Sequence, residues 1–177
     1  IRSCLVGSEM CIRDSRCSAK DEMKADLLSE QALLCSLLPF GAKKCFDLLV
    51  KKGIPKEVAY FECWQELSLI AKTMVNMGPE KFFDLISPNA LVGGLKGQKK
   101  LLNETREKNL EELWEDIDQG TFLKDAEQTN FAAAKDQAQE EWLSSELGKT
   151  HQTIAQQQRL QWKQICLLYT SDAADES

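Results

Sequence analysis

The sequence predicts an all-α protein, and three observations lead to that prediction. Apolar side chains recur every three or four residues along most of the chain, which is the spacing of one face of an α-helix. Few stretches alternate at the two-residue period of a β-strand. Prolines and glycines, the residues that most often end helices, punctuate the apolar segments.

The first two predicted helices are short and rich in leucine. One covers residues 26–38 and ends at Pro39, and the next covers residues 42–52 and ends at Gly53. The members of the second helix expected to face inward are Cys45, Phe46, Leu48 and Leu49.

A long third helix is predicted to open at Pro55, where a first helical turn accepts proline, and to run to about residue 76. Gly78 and the following proline should break it. Residues 80–86 form a short amphipathic segment. Residues 87–97 contain a proline and three glycines and are predicted to be a loop.

The last part of the chain is predicted to contain two longer helices and a weaker segment. An amphipathic helix covers residues 99–118 and ends at Gly120, and another covers residues 122–147. Residues 152–164 are rich in glutamine and weakly patterned, so we expect a frayed helix there.

Composition limits the function. The chain has 177 residues, enough for one domain, and a net charge of -6, which argues against nucleic acid and anionic membranes as partners. No apolar run approaches the roughly 20 residues that span a bilayer. The seven cysteines include no CxxC pair, and the single histidine, His151, has no cysteine nearby to complete a zinc site. We therefore expect free thiols and a reducing cytoplasm.

Both ends of the sequence are predicted to be translated sequencing adapter and not native protein. Met10 to Ser15 can be encoded by ATG TGT ATA AGA GAC AG, and the reverse complement of that string, read in another frame, encodes Cys166 to Thr170. The alternative is two unrelated natural termini. We expect residues 1–15 and 166–177 to be adapter-derived and residues 16–165 to form the helical domain.

Two carboxylates on the first predicted helix have no cation within reach along the helix. Asp26 and Glu30 are four residues apart and share one face. Leu33 and Leu34 follow Glu30 at the positions where a lysine or arginine would normally pair with it.

A second pair, Glu62 and Glu66, lies on a helix that is apolar nearly all round, as buried helices usually are. Two like charges in such a place repel each other and are costly to desolvate unless a positive charge lies between them. A divalent cation would supply that charge, and carboxylate ligands favour Mg²⁺ or Mn²⁺ over zinc. The alternative is that each pair meets an arginine or lysine from elsewhere in the fold.

At these residues the sequence resembles ketol-acid reductoisomerases. Residues 26–35 reproduce the family's segment Asp-Leu-x-x-Glu-Gln-x-x-Leu-Cys, and residues 59–70 match its segment Ala-Tyr-Phe-Glu-Cys-x-x-Glu-Leu-x-Leu-Ile. Weaker likenesses occur at residues 86–93 and 114–122. The resemblance covers about residues 21–148 and implies the knotted, helical, metal-binding C-terminal domain of that family.

The resemblance implies a mechanism and a set of residues. Two Mg²⁺ ions would bind Asp26, Glu30, Glu62 and Glu66, the last two contributed by the partner subunit of a homodimer. Glu66 would also handle a proton, and Ser87 would bind the carboxylate of a 2-hydroxy-3-keto acid such as 2-acetolactate. The alkyl migration would be followed by reduction with NADPH, in the synthesis of branched-chain amino acids.

The sequence departs from the family pattern at three places. Ser36 and Leu37 replace a Gly-Gly pair, Gln65 replaces a histidine, and Leu91 and Val92 replace an acid and a tyrosine. None of these changes removes a proposed metal ligand. The third indicates a divergent branch with an altered substrate preference.

No GxGxxG fingerprint follows a strand in this sequence, so we expect no Rossmann domain and no residue that binds NADPH. The leading hypothesis is therefore a piece of the enzyme that is inactive alone. The alternative is a non-catalytic helical module for interaction or dimerisation that is derived from the same domain.

Overall fold

The chain is helical throughout the part that the structure, a computed structural model, describes. That part comprises the backbone of residues 18–172 and the side chains of residues 18–159. The prediction of an all-α fold is confirmed, since no strand occurs between residues 18 and 172. Residues 1–15 and 173–177, predicted to be adapter-derived, lie outside the described backbone.

Nine α-helices and two single π-helical turns follow one another in the described backbone. The helices before residue 86 are α1 (Ala19–Ser29), α2 (Leu37–Lys51), α3 (Lys56–Tyr60) and α4 (Leu67–Leu85). The first π turn (Glu30–Leu34) follows α1, and the second π turn (Phe61–Gln65) joins α3 to α4. The remaining helices are α5 (Pro88–Leu101), α6 (Glu104–Asp118), α7 (Thr121–Gln128), α8 (Phe131–Ser144) and α9 (Glu146–Asp172).

Five helices begin at a polar side chain that accepts a hydrogen bond from a backbone N–H of the first turn. These N-caps satisfy donors that have no partner within the helix. They are Ser18, Ser87, Asn103, Asn130 and Ser145. Glycines with positive φ produce the sharpest breaks, at Gly53 after α2, Gly78 within α4 and Gly120 after α6. The predicted breaks at these three glycines are confirmed.

Two predicted boundaries near prolines are wrong. Pro39 does not end the first helix; the break falls earlier, at Cys35 and Ser36, and Pro39 lies in the first turn of α2, where no intrahelical N–H is needed. Residues 87–97 are not a loop. Ser87 caps a regular helix there, α5, and the three glycines of the segment lie inside that helix.

The elements predicted in the C-terminal part of the chain are helices, as expected, but their boundaries differ from the predicted ones. The helix predicted over residues 122–147 is three helices, because capping by Asn130 starts α8 and a break at Ser145 starts α9. The helix predicted from residue 99 begins at Glu104, after the Asn103 cap. The segment 152–164 belongs to α9, whose backbone continues through residues 166–172.

The main core lies where α2, α3 and α9 meet. Its buried side chains are Phe46, Ala59, Tyr60, Leu147 and Ile154, and Trp64 and Trp142 pack against them. Of the side chains expected to face inward on α2, Phe46 is fully buried and Leu49 packs against the core. Cys45 and Leu48 are exposed, so that part of the prediction is wrong for a single chain.

A second contact joins α1 to α6. The ammonium of Lys24 forms an ion pair with Asp118 and lies 5.5 Å from the centre of the Trp114 ring. Ile117, 3% exposed, is the buried apolar residue of α6. This contact holds α1, which carries Asp26 and leads directly into the π turn that Glu30 opens.

Many large apolar side chains are exposed among the described residues, including Leu69, Val75, Val92 and Phe131. Within the described residues, no helix is both long enough and apolar enough to cross a membrane.

Candidate metal centre

The two acidic pairs found in the sequence lie at the two π turns. Glu30 opens the first π turn, and Asp26 precedes it by four residues on α1. Glu62 lies inside the second π turn, and Glu66 directly follows it. π turns are rare and often mark functional sites, so their coincidence with both acidic pairs is informative.

Hydrogen bonds over five residues define each turn. The N–H of Cys35 donates to the carbonyl of Glu30 at 2.9 Å, and the N–H of Glu66 donates to the carbonyl of Phe61 at 3.0 Å. A serine hydroxyl flanks each turn and donates to the carbonyl three residues earlier: Ser29 to Asp26 at 3.0 Å, and Ser68 to Gln65 at 3.1 Å. Such side-chain bonds to the backbone compete with the regular helix pattern and bend helices.

The carboxylates are more accessible than the sequence predicted. Asp26, Glu62 and Glu66 are exposed, and only Glu30 is half-buried. The expectation of buried acids is wrong for one chain because the apolar side chains beside them, including Leu33, Leu34 and Leu69, are themselves exposed.

None of the four acids forms an ion pair among the residues with described side chains. The salt bridges there join Lys24 to Asp118, Lys43 to Asp47, and Lys56 and Lys149 to Glu146. The alternative that an arginine or lysine from elsewhere in the fold neutralises each pair is therefore not seen in this part of the chain.

The two pairs do not converge within one chain. Among the described residues, no group of three or more aspartate, glutamate, histidine or cysteine side chains is arranged to hold a metal ion. The oxygen atoms of both pairs belong to carboxylates, which Mg²⁺ and Mn²⁺ prefer as ligands over the nitrogen and sulfur ligands typical of zinc.

Long-range hydrogen bonds secure both π turns, and sequence reasoning missed them. The guanidinium of Arg106 on α6 donates to the carbonyl of Ala32 in the first turn at 2.9 Å. The hydroxyl of Tyr60, next to the second turn, lies 2.7 Å from Nδ1 of His151 on α9. The partners are 74 and 91 positions apart, so no local pattern could have indicated them.

The thiol of Cys63 and the hydroxyl of Tyr60 both lie in partly apolar surroundings at the second turn. Burial raises the pKa of Tyr60, and it also raises the pKa of Cys63, with smaller contributions from Cys45 and Glu62. Both groups are therefore neutral at pH 7.

Ser87, predicted to bind a substrate carboxylate, is exposed and caps α5. Its Oγ accepts a hydrogen bond from the N–H of Ala90 at 3.2 Å. The hydroxyl proton remains able to donate to a ligand. Leu91, where the family has an acid, is half-buried on the same helix, and Val92 is exposed.

Taken together, the described helices define an all-α domain that presents two pairs of carboxylates without ion pairs. A family model described as "Ketol-acid reductoisomerase, C-terminal domain" matches residues 19–161. The chain belongs to the ketol-acid reductoisomerase family through this C-terminal domain.

Curated relatives agree with this assignment. The chain is 37% identical over 108 residues to "Ketol-acid reductoisomerase (NADP(+))" of Helicobacter acinonychis (strain Sheeba), and it is 37% identical over 108 residues to the protein of the same name from Helicobacter pylori (strain HPAG1). Each match covers 61% of this chain and 32% of the relative. The matched part of the chain thus spans about a third of the length of these curated relatives.

A solved structure shares the fold. It is described as a "NADH-preferring ketol-acid reductoisomerase from an uncultured archean", and it superposes with a TM-score of 0.73 at 24% identity. The match covers 79% of this chain and 43% of that chain.

Proposed function

We propose that this chain supplies metal and substrate ligands to a ketol-acid reductoisomerase that acts on 2-acetolactate-type substrates in branched-chain amino acid synthesis. Membership of the family supports this role. The observation that carries the proposal is the placement of four carboxylates without ion pairs at the two π turns of the described chain.

Asp26 and Glu30 would form the first half of the site. Asp26 and Glu30 would both hold Mg²⁺ through their carboxylates. When bound, Mg²⁺ acts as a Lewis acid that draws charge from substrate oxygens during alkyl migration. The ion pair of Lys24 with Asp118 supports this half, because it fixes α1 two residues before Asp26.

Glu62 and Glu66 would form the second half from another copy of the chain. Two carboxylates fill only part of the octahedral shell that Mg²⁺ requires, and a second pair would supply further oxygen ligands. Glu66, at the end of the π turn and exposed, would exchange a proton with the substrate.

The surface of the chain supports a homodimer as the assembly. Apolar residues flank the acids and remain uncovered in one chain: Val58 is 49% exposed and Leu69 is 60% exposed. A second copy would cover this surface and bring the acidic pairs together.

Ser87 would donate its hydroxyl proton to the substrate carboxylate, and reduction would use NADPH bound by another part of the complete enzyme. The names of the curated relatives support NADP(+) as the nucleotide. The free thiols of Cys35, Cys45 and Cys63 support a reducing compartment, the cytoplasm.

Sedimentation and thermal unfolding with and without Mg²⁺ would test the proposal. The chain should sediment as a dimer, and Mg²⁺ should raise its Tm, because the ion binds the assembled state preferentially. NADPH should neither bind nor change the Tm. A monomer, or a dimer whose Tm does not respond to Mg²⁺, would contradict the proposed site and favour a non-catalytic interaction module.

A further inference from the structure

One hydroxyl group contacts both the second π turn and the last helix. Oη of Tyr60 lies 2.7 Å from Nδ1 of His151 and 3.5 Å from Oε1 of Gln65. Tyr60 immediately precedes the turn, and Gln65 is its last residue. The hydroxyl therefore spans the turn on which Glu62 lies and which Glu66 follows.

A π turn requires support from its surroundings, because an uninterrupted α-helix is the more favourable local structure. The ring of Tyr60 is fixed for this purpose. It is 2% exposed and belongs to the core formed with Phe46, Leu147 and Ile154. A rigid ring gives its hydroxyl a fixed position relative to both α9 and the turn.

Both contacts of Tyr60 can be satisfied at once by one arrangement of protons. A tyrosine hydroxyl has a single proton and also accepts hydrogen bonds, and the oxygen of Gln65 can only accept. If Nδ1 of His151 carries a proton, His151 donates to Tyr60 and Tyr60 donates to Gln65. This chain of hydrogen bonds links α9 to the far end of the π turn.

We propose that Tyr60 and His151 are positioning residues that hold the second π turn in the shape that presents Glu62 and Glu66 to a metal ion. The stabilisation of the turn by these two residues is inferred from the contacts described above. Its effect on Mg²⁺ affinity rests on the proposed function. His151, the only histidine of the chain, thereby gains a role that does not involve metal ligation.

Hydrogen–deuterium exchange of the 177-residue chain tests the hold on the turn without any metal. Tyr60→Phe removes only the hydroxyl, and His151→Leu removes its partner. Each should speed exchange of the backbone amides of residues 61–66 roughly two- to tenfold, the range expected for one lost hydrogen bond. His151→Asn keeps a donor near the position of Nδ1 and should restore most of the protection.

Thr150→Val provides the matched control. Thr150 is 4% exposed on the same helix, but its hydroxyl donates to the carbonyl of Glu146 at 2.7 Å and not to the turn. The control should leave exchange of residues 61–66 unchanged. If Tyr60→Phe and His151→Leu also leave it unchanged, or if His151→Asn behaves as His151→Leu, the proposal is wrong.

Calorimetric titration with Mg²⁺ alone then tests the consequence for the site. Tyr60→Phe should weaken Mg²⁺ binding by a factor similar to its effect on exchange, whereas Thr150→Val should not. Faster exchange with unchanged affinity would overturn the claim that these residues set the geometry of the ligands. Faster exchange in a chain whose unsubstituted form binds no Mg²⁺ would refute the proposed metal site and leave the hold on the turn supported.

Discussion

Lys24 on α1 pairs with Asp118 on α6 and lies over the ring of Trp114. The ammonium is largely sheltered, with 13% of the Lys24 side chain exposed, while 51% of Asp118 is exposed. This contact joins the start of the described chain to a helix about ninety positions later. Lys24 lies on α1 two residues before Asp26.

The first prediction concerns the pH dependence of this ion pair. The hydrogen bond from Lys24 and its charge lower the pKa of Asp118. An aspartate with a lowered folded pKa contributes stability above its unfolded pKa of about 3.9, and that contribution is lost as the pH falls through the folded pKa. Asp118→Asn should therefore have a lower free energy of unfolding than the parent at pH 7. This difference in free energy should be smaller at pH 3.

Urea unfolding at the two pH values measures that difference. Asp116→Asn is the control, because it removes a carboxylate that forms no salt bridge in the described part of the chain. If Asp118→Asn and the parent differ in free energy of unfolding by the same amount at pH 7 and pH 3, the ion pair does not make stability depend on pH, and the prediction is wrong.

The second prediction concerns the acids of the second π turn. At a concentration a hundred times its Kd, Mg²⁺ should stabilise the dimer by about 2.7 kcal/mol. Glu62→Gln or Glu66→Gln should weaken binding about tenfold and reduce that gain to about 1.4 kcal/mol. Thermal unfolding with Mg²⁺ measures the effect. Glu57→Gln, an exposed acid on α3, should behave as the parent; an equal loss in all three variants would refute a specific site.

The third prediction compares two phenylalanines. Phe46 is 0% exposed at the centre of the core, and Phe131 is 76% exposed at the start of α8. Phe46→Ala should lower the free energy of unfolding by about 3–5 kcal/mol, since it leaves a cavity. Phe131→Ala should change it by less than about 0.5 kcal/mol. Urea unfolding at one fixed protein concentration would decide, and similar losses in both variants would place the core elsewhere.

The fourth prediction uses two glycines with opposite expectations. Gly78 has φ 77° and ψ 169°, a conformation that almost only glycine adopts, whereas Gly93 lies within α5 with open space where the methyl group of an alanine would lie. Gly78→Ala should destabilise the chain by about 1–3 kcal/mol. Gly93→Ala should stabilise it by about 0.5–1 kcal/mol. Thermal unfolding distinguishes the two signs, and stabilisation by both would mean that Gly78 is not strained.

The sequence was sufficient to predict the helical class and to locate the two acidic pairs, because both depend on local patterns. Apolar spacing predicted helices, and the i, i+4 spacing of Asp26 with Glu30 and of Glu62 with Glu66 identified the acidic pairs. The breaks at Gly53, Gly78 and Gly120 were also predictable, because glycine readily adopts a positive φ. Each of the three does so in the structure.

Other features were not accessible from the sequence, for physical reasons. The bonds of Arg106 and His151 join elements that are distant along the chain, and no periodicity encodes such contacts. The glycines of residues 87–97 suggested a loop, but the capping by Ser87 outweighed their weak helix propensity. Burial of the acids was inferred from apolar neighbours, which in one chain are themselves exposed.

The π turns make the length of the acidic helices as important as their composition. A π turn holds one residue more than the α turn it replaces, and each α-helical residue advances the helix by about 100°. Deleting a single residue between positions 61 and 65 would close the turn to a regular one and rotate the start of α4 by that angle relative to α3. Substitutions in this segment change side chains one at a time, whereas an in-frame loss of one amino acid would re-aim every side chain that follows, up to the break at Gly78.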